Sequence, residues 1–346
     1  MNHELPSHDR PGPFLRPWYP LLAWVWLALL PLLASACEAE QPAVYRVGIF
    51  SGGGDFTQMT DGFKAGMTEL GYIEGQDIIY SLSGATADPD QDQRTLQRLI
   101  GEQVDMIFTF PTGSAVLARE MTTGTDIPVV FCYAGTEGNN LIESVRQPGG
   151  NVTGVRFPGP EQISKRLEIL LELAPQVRRV WVGYDLNNPN TPPTIAALRQ
   201  FAASQQVTLV EVPATTVQEL QDDLAARATQ QEDLGIDAMI LMPDGLSHST
   251  EGWEMIRTFA AQHRIPVGGS FLYTVQQGAV FGNASNFFEV GKQAAPLAAK
   301  ILQGTPAGTI PVVTPNQQLW INYRVAEELG LTVPEGLLKT ADEIIR

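Results

Sequence analysis

Cysteine and histidine are scarce in this chain, two and four of 346 residues. An intramolecular disulfide would have to join Cys37 to Cys132, so no disulfide framework can carry the fold. His3 and His8 lie in the first ten residues, which leaves His248 and His263. Neither accompanies a Gly-x-Ser-x-Gly elbow or a second histidine four residues away, so hydrolytic and zinc chemistry are not expected. Basic charge is also short: 22 Lys+Arg stand against 38 Asp+Glu, a formal charge of -16. No stretch concentrates Lys or Arg, and a phosphate backbone would be repelled, which excludes nucleic acid as an expected partner. Long apolar runs are missing as well. The run Leu21–Leu33 is shorter than the roughly 20 residues of a spanning helix and contains Pro31.

What is present begins with 44% hydrophobic and 17% charged residues, an ordinary globular composition. Arg10 and Arg16 precede the Leu21–Leu33 run, and Ala34-Ser35-Ala36 lead into Cys37. Basic, apolar and small residues in that order form an export signal, so residues 1–36 are expected to be removed. Ala34-Ser35-Ala36 also fits a plain A-x-A cleavage site. Leu33-Ala34-Ser35-Ala36-Cys37 resembles the lipobox of bacterial lipoproteins, though with Leu33 one place further back than usual, and we prefer the reading in which Cys37 is lipidated. The protein would then be anchored at the outer face of the cytoplasmic membrane. Cys132, in the apolar run Ile127–Tyr133, reads as a small core residue.

From Val44 onward short β-branched runs alternate with amphipathic segments. Val44–Phe50 is a strand; after a Gly-rich loop Met59, Phe63, Met67 and Leu70 recur at helical spacing, and Gly71 ends the helix. Strands follow at about 77–82, 104–110 and 127–133, with helices at about 91–102 and from Ser114. After Gln147-Pro-Gly-Gly-Asn151 a second series has helices at about 161–173, 194–204, 217–231 and 251–263, and strands at about 179–184, 207–212, 237–242 and 265–269. About ten such units exceed one domain of roughly 100–200 residues. The fold class expected is α/β, two doubly wound parallel-sheet lobes coupled by short crossovers and able to close about a hinge. Ligands of open α/β sheets sit outside the carboxyl ends of strands, which places the site in strand-end loops of both lobes.

The run Gln147-Pro-Gly-Gly-Asn-Val-Thr-Gly-Val155 resembles the characteristic motif of the ABC transporter substrate-binding family of the tryptophan/tyrosine type. Segments 63–72, 104–107, 127–131, 168–175, 265–268, 290–295, 300–304 and 328–338 look like that family's segments in the same order. The resemblance implies a type I periplasmic binding protein with crossovers near residues 157, 285 and 311. Residues 37–157 and 286–311 would form the first lobe, and 158–285 and 312–346 the second. It further implies a solute-binding lipoprotein of an ABC importer, with ABC permease subunits as partners, no cofactor, no chemistry on its ligand, and a monomeric state. Gly149-Gly150 supplies a turn that a Cβ would hinder, and we read it as structural.

The sequence departs from the family pattern at the ligand. The loop after the third strand is Phe110-Pro-Thr-Gly-Ser-Ala115 instead of Gly-Thr-Pro-Ala. Gly135-Thr136-Glu137 replaces Ser-Asp-Pro, and Gly269-Ser270-Phe271 replaces Gly-Ser-Asp, trading a carboxylate for an aromatic wall. The expected ligand is a small polar molecule, with an amino acid or related carboxylate as the leading class. The site expected from strand ends comprises Ser51, Asp55, Phe56, Thr112, Ser114, Thr136 and Glu137 on the first lobe. Asp185, Asn187, Asn190, Asp244 and Phe271 face them from the second. Phe56, Tyr133 and Phe271 offer apolar faces. The helix start at Thr112–Ser114 suits a ligand carboxylate, and equally well those residues serve only as caps.

Two other readings stand beside this one. Val47-Gly-Ile-Phe-Ser-Gly-Gly-Gly-Asp55 resembles the phosphate loop that opens a phosphofructokinase, but it lacks the Lys-Ser/Thr of a P-loop and no second kinase motif follows. A ligand-binding module presenting its ligand to a membrane receptor uses the same fold; a repressor would carry a DNA-binding helix pair before the first lobe.

Overall fold

The computed structural model describes residues 44–51, 57–86, 88–230 and 233–346. The leader expected at 1–36, Cys37, Asp55 and Phe56 lie outside the described residues. The first sheet consists of β1 (Tyr45–Ser51), β2 (Ile78–Gly84), β3 (Met106–Phe110), β4 (Val129–Ala134) and β5 (Val152–Arg156), in the order β2-β1-β3-β4-β5. Every neighbouring pair is parallel. β3 and β4 are buried at every position, because parallel strands are covered by helices on both faces and need apolar residues on each.

The second sheet has seven strands in the order β12-β11-β10-β9-β8-β6-β7. They are β6 (Arg179–Asp185), β7 (Thr208–Ala214), β8 (Ala238–Ile240), β9 (Val267–Gly269), β10 (Phe281–Ala284), β11 (Gln318–Asn322) and β12 (Glu343–Ile345). Its two faces bury separate cores, one built on Leu167, Leu170, Val182 and Phe281, the other on Trp181, Leu224, Met239 and Trp253. Two α/β lobes with mostly parallel sheets are therefore as expected from the alternation of elements. The exception is the β10–β11 pair, which is antiparallel. β10 leaves the sheet toward the first lobe and the chain returns at the same end, so the strand that re-enters beside it must run the other way.

The excursion between β10 and β11 belongs physically to the first lobe. Helix Phe287–Leu302 packs along helix Thr57–Glu69, with Val290, Ala294 and Ala298 in the same core as Phe63 and Phe108, whose rings stack at 4.0 Å. The two helices approach so closely that a Cβ on Gly62 would lie 1.9 Å from the Phe288 carbonyl oxygen, and one on Gly291 2.0 Å from that of Met59. Beyond this helix, Val313 still pairs with β5: the Arg156 amide donates to the Val313 carbonyl at 2.9 Å. The chain thus passes between lobes at Phe157–Pro158, at Ser285–Asn286 and just after Val313.

The Pro-Gly-Gly-Asn run turns into β5 away from the cleft. Gly149 and Gly150 have φ of +75° and +54°, and the Gly149 amide donates to the Gly308 carbonyl at 3.0 Å. Asn151 is tied down by its side-chain amide, which donates to Thr122 Oγ1 at 2.9 Å and to the Ile127 carbonyl at 2.7 Å. The run is structural. Cys132 is fully buried in the first core, and burial pushes its thiol up.

Candidate ligand-binding site

Strand-end segments of the two lobes enclose a cavity of about 590 Å³. The first lobe contributes Pro111–Gly113 after β3, Tyr133 in β4, Phe157 after β5, and Phe287 at the start of its long helix. The second contributes Asp185, Asn188–Asn190, Pro243–Gly245, His248, Ser249, Phe271 and Tyr273. A cavity of this size takes an amino-acid-sized or nucleoside-sized ligand.

Its walls are aromatic, and the rings touch one another in sequence. Tyr133 meets Phe157 and Phe287 edge-on at 5.0 and 5.3 Å between centroids, and Phe287 meets Phe271 at 5.3 Å. His248 lies 4.8 Å from Phe271, and Tyr273 stacks on Phe271 at 6.0 Å. The Phe287–Phe271 contact crosses from one lobe to the other. Tyr133 reaches this position from a β-bulge: the pairing of β4 with β5 shifts between Cys132 and Ala134, and Tyr133 has a left-handed φ of +51°. A bulky residue held there costs on the order of 1–3 kcal/mol, a strain that occurs preferentially at functional sites. Its hydroxyl accepts a hydrogen bond from Gln162 Nε2 at 3.2 Å.

Polar groups converge at two places on these walls. Thr112 opens helix Thr112–Thr122; its Oγ1 accepts from the Gly135 amide at 2.9 Å and donates across the cleft to Asn190 Oδ1 at 3.0 Å. A Cβ on Gly135 would lie 2.2 Å from the same Asn190 oxygen, so only glycine lets the lobes meet here. Opposite stand two carboxylates. Asp244 is buried and accepts from the amides of Ser247 and Asp185 at 2.9 and 3.0 Å, which locks the end of β6 to the short helix Gly245–His248. Burial raises its pKa to about 6, against the pull of those amides and with added repulsion from Asp185.

His248 Nδ1 is 2.7 Å from the Tyr273 hydroxyl. Burial, reinforced by the positive charge of Arg166, lowers the imidazole pKa to about 3, and the Met242 carbonyl opposes that fall without forming a hydrogen bond. The ring is neutral at physiological pH. Among the described residues no group of three or more His, Cys, Asp or Glu is placed to hold a metal ion.

The structure brings together Thr112, Asp185, Asn190, Asp244 and Phe271 of the residues expected from sequence, with Tyr133 beside them. Of the others, Asp55 and Phe56 lie outside the described residues, and Ser51, Ser114, Thr136, Glu137 and Asn187 are not in the cavity lining. Ser51 ends β1, paired with Gly84, and Ser114 is buried within its helix. Thr136 donates its amide to Glu137 at 3.2 Å. Glu137 itself is held by the Arg156 guanidinium at 2.9 Å, which also pairs with Glu161. Asn187 is exposed, its amide turned back to Asp185 Oδ1 at 2.8 Å. Phe157, Phe287, Tyr273 and Asn188 were not singled out from sequence. The strand-end rule does point to Phe157; nothing local points to Phe287, which comes from the excursion after β10.

The chain matches the family described as ABC transporter substrate binding protein over residues 48–345. A tyrosine-binding protein of Clostridioides difficile (strain R20291) is 26% identical over 282 residues, covering 81% of this chain and 75% of the relative. Among solved structures, a conserved domain protein of Vibrio cholerae has a TM-score of 0.75 at 25% identity, covering 87% of this chain and 100% of that one. The ABC domain from Streptococcus pneumonia in complex with L-Trp has a TM-score of 0.74 at 21% identity, covering 88% of this chain and 100% of that one. The two-lobed architecture is that of the type I periplasmic binding proteins. With a cavity between its lobes and a family match that spans both, the chain belongs to the ABC transporter substrate-binding protein family, whose members bind a substrate and do not transform it.

Proposed function

We propose that this protein captures an amino acid, or a closely related carboxylate with an aromatic or apolar body, and delivers it to the permease subunits of an ABC importer. One observation carries the reading. The cavity has a continuous aromatic wall from Phe157 through Tyr133 and Phe287 to Phe271, with a helix start at Thr112 on one lobe and the Asp185–Asp244 pair on the other. An amino acid has the matching parts: an apolar body for the rings, an ammonium for the carboxylates, and a carboxylate for the polar wall away from them. The tyrosine-binding relative and the homologous fold holding L-Trp support an aromatic member of that class. A thermal-shift screen of amino acids, nucleosides, sugars and short peptides tests it, since a ligand bound only to the folded state raises Tm by mass action. Stabilisation by sugars or nucleosides alone, or conversion of a hit at a rate proportional to protein, rejects the reading.

The mature protein starts, in this proposal, at a lipidated Cys37 and works as a monomer at the outer face of the cytoplasmic membrane. Leu33–Cys37 and the preceding basic-then-apolar segment support export and anchoring. A single acyl chain binds membranes only marginally, so a multiply acylated Cys37 is expected. Mass spectrometry of the N-terminus decides: an unmodified Cys37, or retention of residues 1–36, rejects the anchor.

A further inference from the structure

A buried charge lies one layer behind the aromatic wall. Arg166, on helix Gly159–Leu173, is fully buried. Its Nε donates to Asn283 Oδ1 at 3.0 Å, Nη2 to the Asn283 carbonyl at 2.9 Å, and Nη1 to the Leu241 carbonyl. All three acceptors are neutral, and no described carboxylate is within ion-pairing distance of the guanidinium. Burial lowers its pKa only to about 10, so it stays protonated at neutral pH. A cation in such a place without a counter-charge is costly, and the cost is normally met by an ion pair.

The position of this charge relative to the cavity is well defined. One turn earlier on the same helix, Gln162 holds the Tyr133 hydroxyl, and Asn283 Nδ2 donates to the Gln162 carbonyl at 3.4 Å. Leu241, which accepts from Arg166, lies two residues before Pro243 of the lining. The charge acts on both Tyr133 and His248, which face the cavity. Among the described residues the lining contains no Lys or Arg.

We infer that Arg166 is the residue that makes this cavity select a ligand with a carboxylate: the anionic group seats on the Tyr133–His248 side and supplies the counter-charge that the buried guanidinium lacks. The Asp185–Asp244 pair then takes the ammonium, which orients the ligand. Arg166 touches no ligand atom; it is a specificity-determining residue acting through the field across one layer of neutral side chains. The inference rests on the amino-acid reading above and deepens it.

The test uses calorimetry with L-tyrosine, L-tryptophan, and the amines tyramine and tryptamine, which lack the carboxylate. The wild-type protein, R166Q, R166K and N283D are compared, each first checked for a cooperative thermal transition. In the wild type the acids bind better than the amines. R166Q weakens the acids by about tenfold while leaving the amines unchanged or tighter, the size expected for one charge acting through partly shielded protein. R166K retains the preference. N283D, which gives the guanidinium a carboxylate in place, removes it without removing Arg166. Equal weakening of acids and amines in R166Q, or an unchanged ratio in both R166Q and N283D, overturns the proposal. A wild type that binds the amines and rejects the acids also overturns it. A wild type that binds none of the four rejects tyrosine and tryptophan as the ligand, and the NMR titration of His248 then decides: its pKa rises in R166Q if the charge reaches the cavity and stays the same if it does not.

Discussion

Replacement of Asp244 by Asn separates the energetic cost of the site from its hydrogen bonds. The Asp244 carboxyl titrates near 6 in the folded protein and at 3.8 when unperturbed, because burial penalises its anion more than the Ser247 and Asp185 amides favour it. At about 1.4 kcal/mol for each tenfold change in proton affinity, ionised Asp244 disfavours the folded state by about 3 kcal/mol above pH 6. The sign follows from proton binding: between the two pKa values the folded protein holds the proton more tightly than the unfolded chain. The stability associated with this group is fully present below pH 3.8 and is lost as pH rises through 6. D244N removes the titration but can accept from only one of the two amides that Asp244 satisfies, a loss of about 1–3 kcal/mol that does not vary with pH. D244N should therefore be less stable than wild type at pH 4 and gain on it toward pH 7, the difference between them moving by about 2 kcal/mol. Groups with lowered pKa values, such as Glu211 and Asp237, titrate in both proteins and cancel in the difference. Guanidinium unfolding at pH 4, 5, 6 and 7 measures it. Parallel stability profiles for the two proteins would refute the assignment of a buried, costly carboxylate at 244.

Three further outcomes follow from the same geometry. G291A puts a Cβ 2.0 Å from the Met59 carbonyl oxygen and should lower stability by about 1–3 kcal/mol, read as a lower Tm with ligand affinity little changed in the folded fraction. T112V breaks the hydrogen bond to Asn190 across the cleft and strands the Gly135 amide, so it should weaken binding of the best screened ligand by about tenfold; unchanged affinity removes Thr112 from the site. F271A deletes the ring that touches Phe287, His248 and Tyr273, and should cost at least about 1 kcal/mol of binding free energy by calorimetry while leaving the far-ultraviolet circular dichroism intact.

Where periodicity is local, sequence and structure agree closely. The helix expected at 161–173 spans Gly159–Leu173, and the strand expected at 179–184 spans Arg179–Asp185, because apolar spacing over ten residues already states which face is buried. The strand expected at 237–242 shortens to Ala238–Ile240: the backbone turns at Met242–Asp244 so that Asp244 can cap the next helix. The helix expected from Ser114 starts at Thr112, two residues earlier. The earlier start brings the Thr112 hydroxyl to the cleft and leaves Ser114 buried two residues further along the helix.

Glu137 and Arg166 mark the boundary of what local reasoning reaches. In sequence Glu137 is a free acid at a strand end, and Arg166 follows Lys165 on an amphipathic helix as if both faced water. Their roles are set by partners remote in the chain, Arg156 for the first and Asn283 for the second. The same holds for Phe287, which reaches the cavity only because helix Phe287–Leu302 packs against Gly62 of the first lobe, more than 200 residues earlier. Composition, apolar period and strand-end loops were enough to establish two α/β lobes and to mark Thr112, Asp185, Asn190, Asp244 and Phe271, since each depends on short-range backbone geometry. Which charges stay free, which rings meet, and how the lobes touch are matters of long-range packing, where a side chain's partner is fixed by the closure of three crossovers and not by its neighbours in the chain.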